Sequence, residues 1–214
     1  MNKNLTEIIF ILDRSGSMHG LEGDTIGGYN SFLEQQKKLP GQVLLSTVLF
    51  DTQIDVLHDR VDLAKVPELT EKDYATGGCT ALMDAVGGAI HHIGNVHKYA
   101  REEDRPAKTM VVITTDGMEN ASRRYSLAKV REMIEKEKAK YGWEFIFLGA
   151  NMDAVHEAGK FGIDADAAMN FRADGMGVRA NFEAMSMAAA SLRSTGARGT
   201  AWRNRIEDAF NKEK

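Results

Sequence analysis

Short, continuously apolar segments alternate along the chain with segments in which apolar residues recur every three or four positions. The first pattern is typical of strands buried on both faces of a sheet, and the second is typical of amphipathic helices. The predicted strands cover residues 8–12, 43–50, 53–57, 110–114, 145–148 and 167–171. The predicted helices cover residues 25–39, 81–99 and 153–160, with one more beginning after Ser126 and another over residues 178–192.

This alternation of buried strands and helices predicts an α/β fold, with a doubly wound, mostly parallel sheet and helices on both faces. Asp51 and Thr52 lie between two predicted strands and fit a tight turn, so residues 53–57 are predicted to pair antiparallel as a hairpin at the sheet edge. Ligands of such sheets bind at the carboxyl ends of the strands. We therefore expect chemistry just after residues 12, 114 and 148.

Residues 195–214 are predicted to be a C-terminal tail outside a domain formed by residues 1–194. The tail begins as a linker and then places Trp202, Ile206 and Phe210 at intervals of four residues, which predicts a short amphipathic helix. Two interpretations of this helix are open. It folds back onto the domain, or it docks on a partner or another subunit.

The composition excludes several classes of protein. Of 214 residues, 43% are hydrophobic and 27% are charged, as is usual for a globular chain. The net charge of −4 argues against nucleic-acid binding, and no apolar segment reaches the ~20 residues of a membrane span. The single cysteine, Cys79, cannot form an intramolecular disulfide, which favours a reducing compartment. We expect a cytoplasmic protein that binds neither nucleic acid nor membranes.

Three segments at the predicted strand ends carry carboxylates and hydroxyls. Asp13, Ser15 and Ser17 occupy alternate positions directly after the first strand. Asp116 follows the fourth predicted strand and precedes a glycine suited to a tight turn. Thr80 ends a loop that contains two glycines and directly precedes a predicted helix. The three segments are therefore expected to meet at the same edge of the sheet.

These residue types fit a hard divalent cation. Mg²⁺ prefers oxygen ligands, and two aspartates with three hydroxyls suit an octahedral site for Mg²⁺ or Mn²⁺. Cysteine and histidine ligands, which favour zinc, are not part of this set. If only one carboxylate bound the ion directly, the ion would stay positive and attract a carboxylate from outside.

In these segments the chain resembles the von Willebrand factor type A (VWA) domains, and in particular their metal-ion-dependent adhesion site. The matching residues are Asp13, Ser15, Ser17, Thr80 and Asp116, and the resemblance covers about residues 5–194. It is similar to the stand-alone intracellular members found in bacteria. The resemblance implies a Rossmann-like fold with one antiparallel edge strand and a site for Mg²⁺ or Mn²⁺. It also implies a protein-binding module, not an enzyme, in which an acidic residue of a partner protein completes the metal coordination.

Two other functions are open at this point. Phosphotransferases that form an aspartyl-phosphate also carry an aspartate after the first strand of a Rossmann-like sheet. Those enzymes have a second aspartate two residues later as acid and base, where this chain has Ser15, which argues against a phosphatase-like enzyme that uses Asp13. The third possibility is a structural subunit of a larger assembly, in which the metal only stabilises the fold.

Overall fold

The computed structural model describes residues 1–211, and its elements follow the predicted alternation. The strands are β1 (Asn2–Asp13), β2 (Gln42–Phe50), β3 (Ile54–Asp62), β4 (Pro106–Thr115), β5 (Glu144–Gly149) and β6 (Ala168–Asn170). The helices are α1 (Glu22–Lys37), α2 (Leu82–Tyr99), α3 (Leu127–Tyr141), α4 (Ala154–Lys160), α5 (Gly175–Thr195) and α6 (Ala201–Asn211). Within these residues, none of the helices combines the length and the apolar character needed to cross a membrane.

The six strands form one sheet in the order β3-β2-β1-β4-β5-β6. All neighbouring strands are parallel except β2 and β3, which form the predicted antiparallel hairpin at one edge. The α/β fold with one antiparallel edge strand is therefore confirmed. The chain runs outward from β1 in both directions, first to β2 and later to β4. This reversal creates a crevice at the carboxyl ends of β1 and β4, where such sheets bind ligands.

Each face of the sheet has its own hydrophobic core. Ile8, Phe10 and Leu12 of β1 point into a core closed by α1, α5 and α6, whereas Ile9 and Ile11 point into a core closed by α2, α3 and α4. Because side chains alternate between faces along a strand, a central strand covered on both sides must be apolar at every position. This explains the continuous apolar run in β1 and holds its carboxyl end in place.

Helix α6 packs against α5. Trp202 and Ile206, each 1% exposed, belong to the core on the α1 side, while Phe210 is exposed. The Arg205 guanidinium also donates a hydrogen bond to the Glu183 carboxylate on α5. The last three residues of the predicted tail, 212–214, lie outside the described residues. The division of the chain into a domain of residues 1–194 and a tail of residues 195–214 stays a prediction.

Candidate metal centre

The loop after β1 begins with a buried carboxylate held by neutral donors. Asp13 is 1% exposed. One of its carboxylate oxygens accepts a hydrogen bond from the Ser15 backbone N–H at 2.7 Å, and the other accepts one from the Thr115 hydroxyl at 2.6 Å. The turn that follows brings the Ser15 and Ser17 hydroxyl oxygens within 3.1 Å of each other. The alternate spacing of the three residues thus places their oxygens on one side of the loop.

The hydroxyls of this loop meet those of two other segments beside Gly117. The Ser17 hydroxyl donates a hydrogen bond to the Asp116 carboxylate. A Cβ atom on Gly117 would lie 2.6 Å from Thr80 Oγ1, 3.2 Å from Ser17 Oγ and 3.5 Å from Ser15 Oγ. Three hydroxyls therefore surround one point that only a glycine leaves open. The structure brings all five predicted residues together at the carboxyl ends of β1 and β4.

The loop that carries Thr80 is fastened to its neighbours through the backbone. The Gly16 N–H donates to the Gly78 carbonyl oxygen at 3.1 Å, and the Cys79 N–H donates to the Thr52 hydroxyl at 2.8 Å. Gly78 has φ of +71°, and a Cβ there would lie 2.8 Å from Thr52 Oγ1. Glycine at 78 therefore permits both the backbone conformation and the close approach that position Thr80.

The two carboxylates lack a positive partner. Burial raises the pKa of Asp13, although hydrogen bonds from Ser15 and Thr115 oppose this effect. Burial also raises the pKa of Asp116, and the negative charge of Asp13 raises it further. In the part of the chain that the structure describes, neither carboxylate forms an ion pair with a basic side chain. The nearby guanidinium of Arg14 pairs instead with Asp51 at 3.0 Å.

Three residues that support the site were not predicted from the sequence. Thr115 directly precedes Asp116, but its bond to Asp13 depends on β1 and β4 being neighbours. The Tyr74 hydroxyl donates to the Asp13 carbonyl oxygen at 2.5 Å, from the connection between β3 and α2. The Asn120 side chain accepts a hydrogen bond from the Thr80 N–H at 2.9 Å. These supports come from distant segments, and no local pattern in the sequence marks them.

The loop between Asp116 and α3 is anchored on Asp84, in the first turn of α2. The Asp84 carboxylate accepts hydrogen bonds from the backbone N–H groups of Arg123, Arg124 and Tyr125 at 2.9, 2.8 and 2.8 Å. Burial raises the pKa of Asp84, but the three donors together outweigh it and lower the pKa below its ordinary value. This anchor fixes the segment that follows Asp116.

The donor set fits a hard divalent cation. All five side chains offer oxygen, as Mg²⁺ and Mn²⁺ prefer. The carboxylates of Asp13 and Asp116 are buried close enough for the charge of one to disfavour ionisation of the other, and a cation between them would relieve that repulsion. Ser17 is exposed, whereas Ser15 and Thr80 are buried, so the site opens to solvent on one side.

Neither a protein-family model nor a curated protein matches the sequence. Solved structures with a similar fold include proximal thread matrix protein 1 from the mussel byssus, with zinc in its metal-ion-dependent adhesion site (TM-score 0.60, 16% identity, 86% of this chain and 46% of that chain). Another is a von Willebrand factor type A protein from Catenulispora acidiphila (TM-score 0.56, 15% identity, 87% of this chain and 42% of that chain). The chain spans less than half the length of these proteins. At these identities the likeness shows the fold, which is the Rossmann-like fold of VWA domains.

Proposed function

We propose that this protein is a divalent-metal-dependent protein-binding module. In this proposal Asp13, Ser15, Ser17, Thr80 and Asp116 hold Mg²⁺ or Mn²⁺, and an Asp or Glu carboxylate of a partner protein completes the coordination. One observation carries the proposal: three hydroxyls surround a single point beside two buried carboxylates that have no basic partner among residues 1–211. The zinc recorded in the corresponding motif of the mussel protein supports a divalent ion here as well.

The charge of the site favours capture of a carboxylate. A bound ion supplies positive charge, and three of the five proposed ligands are neutral hydroxyls. Ser15 N–H and the Thr115 hydroxyl each take up a lone pair of the Asp13 carboxylate and hold its orientation. The open side at Ser17 gives a partner access, and a chelator would remove the charge that attracts it.

We propose binding, not catalysis, because the residues needed for phosphotransfer do not accompany Asp13. Ser15 occupies the position where an acid and base would be needed, and its backbone N–H is bonded to the Asp13 carboxylate. Hydrolysis of p-nitrophenyl phosphate with Mg²⁺, lost on Asp13→Asn substitution, would instead support the enzyme.

We also propose a cytoplasmic location, since the one cysteine is a free, exposed thiol.

The test is capture of partner proteins from a lysate on the immobilised protein, with Mg²⁺ or with a chelator. We expect a partner that wild type retains only with Mg²⁺. Asp13→Ala and Gly117→Ala should lose it, the second because a methyl group would lie 2.6 Å from Thr80 Oγ1. Gly88→Ala is the matched control, since a Cβ at Gly88 meets no atom within 4 Å.

Three outcomes separate the candidate functions. A partner retained by wild type and Gly88→Ala only with Mg²⁺ supports metal-dependent capture. The same partners in chelator and with Asp13→Ala would contradict it. Calorimetric binding of Mg²⁺ without any metal-dependent partner would favour the structural subunit, in which the ion only stabilises the fold.

A further inference from the structure

The buried side of α5 carries an amide that no protein group satisfies. Asn181 is 1% exposed, and neither its side-chain oxygen nor its side-chain nitrogen has a hydrogen-bond partner within residues 1–211. Ser186 on the same helix is also buried, but its hydroxyl bonds to Gln36 at 2.9 Å and to Gln35 at 2.7 Å. Buried polar groups in folded proteins are hydrogen-bonded with few exceptions. Asn181 therefore stands out on this helix.

Two more unpaired hydroxyls line the same small cavity as Asn181. They belong to Thr25 on α1 and Thr114 on β4, both buried and neither with a partner at hydrogen-bond distance in the described chain. The Thr25 hydroxyl lies near the Tyr74 hydroxyl, but beyond that distance. The cavity measures about 10 Å³ and is also lined by Asp13. Three elements thus contribute polar groups without hydrogen-bond partners in the described chain to the lining of one small cavity next to the candidate metal centre.

The size and the chemistry of this cavity select its ligand. About 10–15 Å³ is the space that one water molecule needs. The Asn181 amide offers two N–H donors and one acceptor oxygen, and each threonine hydroxyl can donate or accept. A cation would satisfy only the acceptors and an anion only the donors. Water does both, and two to four polar partners are typical of a buried water molecule.

We infer that Asn181, Thr25 and Thr114 bind one buried water molecule beside Asp13, and that Asn181 is a positioning residue for the metal centre. The second part rests on the proposed function. The water joins α1, β4 and α5 at the crevice where β1 ends, so it fixes the spacing of the elements around Asp13. An apolar side chain at 181 removes this junction and allows the carboxylate to shift.

The water site is tested by a high-resolution crystal structure of the full chain. We expect an ordered water within about 3.2 Å of the Asn181 amide and of at least one of the two threonine hydroxyls. A dry cavity, or an Asn181 amide bonded to protein atoms, would overturn the site. This result does not depend on whether the protein binds metal.

The positioning role is tested by calorimetric titration with Mn²⁺. Asn181→Leu keeps the size but not the polar groups, and we expect it to weaken Mn²⁺ binding about 10-fold, as for other residues behind metal ligands. Thr25→Val, a milder variant if Asn181→Leu folds poorly, should weaken binding to a smaller extent. Ser186→Ala is the control: it removes a satisfied buried hydroxyl from the same helix and should lower the melting temperature without changing Mn²⁺ affinity.

Each outcome of the titration decides one point. Asn181→Leu and Thr25→Val binding Mn²⁺ as tightly as wild type would overturn the positioning role. An equal loss of affinity in Ser186→Ala would also overturn it, because the effect would then follow general destabilisation. A wild-type protein that binds no Mn²⁺ would refute the proposed function instead, and the crystal structure alone would then decide the water site.

Discussion

Strand β1 carries two buried carboxylates in different electrostatic surroundings. Glu7, in the middle of the strand, is 0% exposed and accepts hydrogen bonds from the Arg60 guanidinium at 2.8 and 3.2 Å, and it lies 2.6 Å from His97 Nε2. Asp13, at the end of the strand, is 1% exposed, and within residues 1–211 its carboxylate accepts hydrogen bonds from neutral donors alone. The other carboxylate of the site, Asp116, has the same sign of charge.

The two sites differ in whether a counter-charge is present. At Glu7 the Arg60 guanidinium supplies it. At Asp13 the described residues supply hydrogen bonds that orient the carboxylate, but no basic side chain pairs with it. Burying an ion without a counter-charge is costly, so such an arrangement persists where something else provides the charge. Under the proposed function, Glu7 is a carboxylate that serves the fold and Asp13 is one that would hold the metal.

The largest expected loss of unfolding free energy follows from removing the counter-charge of Glu7. Arg60→Met keeps much of the side-chain bulk but, among the described residues, leaves the Glu7 carboxylate with the contact to His97 Nε2 alone. Breaking a buried ion pair in this way costs about 3–5 kcal/mol, which urea denaturation would measure. Mn²⁺ affinity should stay unchanged, because Arg60 is on β3 and pairs with Glu7, six residues before Asp13 on β1. A loss below about 1 kcal/mol would show that Glu7 does not depend on this charge.

At the candidate metal site we expect the reverse: replacing Asp13 should abolish stabilisation by Mg²⁺ but change the stability of the metal-free protein little. Mg²⁺ at 100 times its dissociation constant should stabilise wild type by about 2.7 kcal/mol, or roughly 5–10 °C in a thermal melt. Asp13→Asn should remove this gain. Without metal, its stability should lie within about 1 kcal/mol of wild type, because an amide can still accept from the Ser15 N–H and donate to Thr115. A large loss without metal would mean that Asp13, like Glu7, is a structural charge.

The smallest expected loss of unfolding free energy is at a third buried carboxylate, that of Asp84. Asp84 is satisfied by backbone N–H groups, and Asn at this position offers one acceptor oxygen instead of two, so Asp84→Asn should cost about 1–2 kcal/mol at neutral pH. Because folding lowers the pKa of Asp84 below 3.8, its contribution is present above that pH and is lost as pH falls through the lowered pKa. Urea unfolding of both proteins from neutral to acidic pH should show the gap closing. A gap that widens on acidification would contradict this assignment.

Much of the fold follows from local pattern. The apolar run at residues 8–12 marks a central strand, and the 3–4 spacing of apolar residues marks α2 and α5 close to their observed bounds. The strand ends were harder to predict. β1 begins at Asn2, which pairs with Pro106 of β4, and its polar Thr6 and Glu7 belong to the strand because β2 and β4 pair with them on both sides. β3 likewise extends to Asp62, beyond the predicted end at residue 57, because β2 offers it a partner.

The candidate site was predicted in its side chains but not in its supports. Asp13, Ser15, Ser17, Thr80 and Asp116 were predicted to meet because they follow strand ends or open a helix, and parallel strands end at one edge. Tyr74, Asn120 and Asp84 fasten the site through hydrogen bonds between segments distant in sequence, and such contacts follow no spacing rule. Their roles as hydrogen-bond partners became visible only in the folded chain.

Local patterns along the chain are enough to predict the α/β class, the hairpin at the edge and the five oxygen-bearing side chains at the carboxyl ends of the strands. Periodicity and strand-end position are local properties, so they can be read along the chain. Which buried carboxylate has a counter-charge is visible only in the folded protein. Arg60 and His97 stand 53 and 90 residues from Glu7 in sequence, whereas Asp13 meets Asp116 across the crevice. Electrostatic compensation depends on distance in space, and only the fold sets that distance.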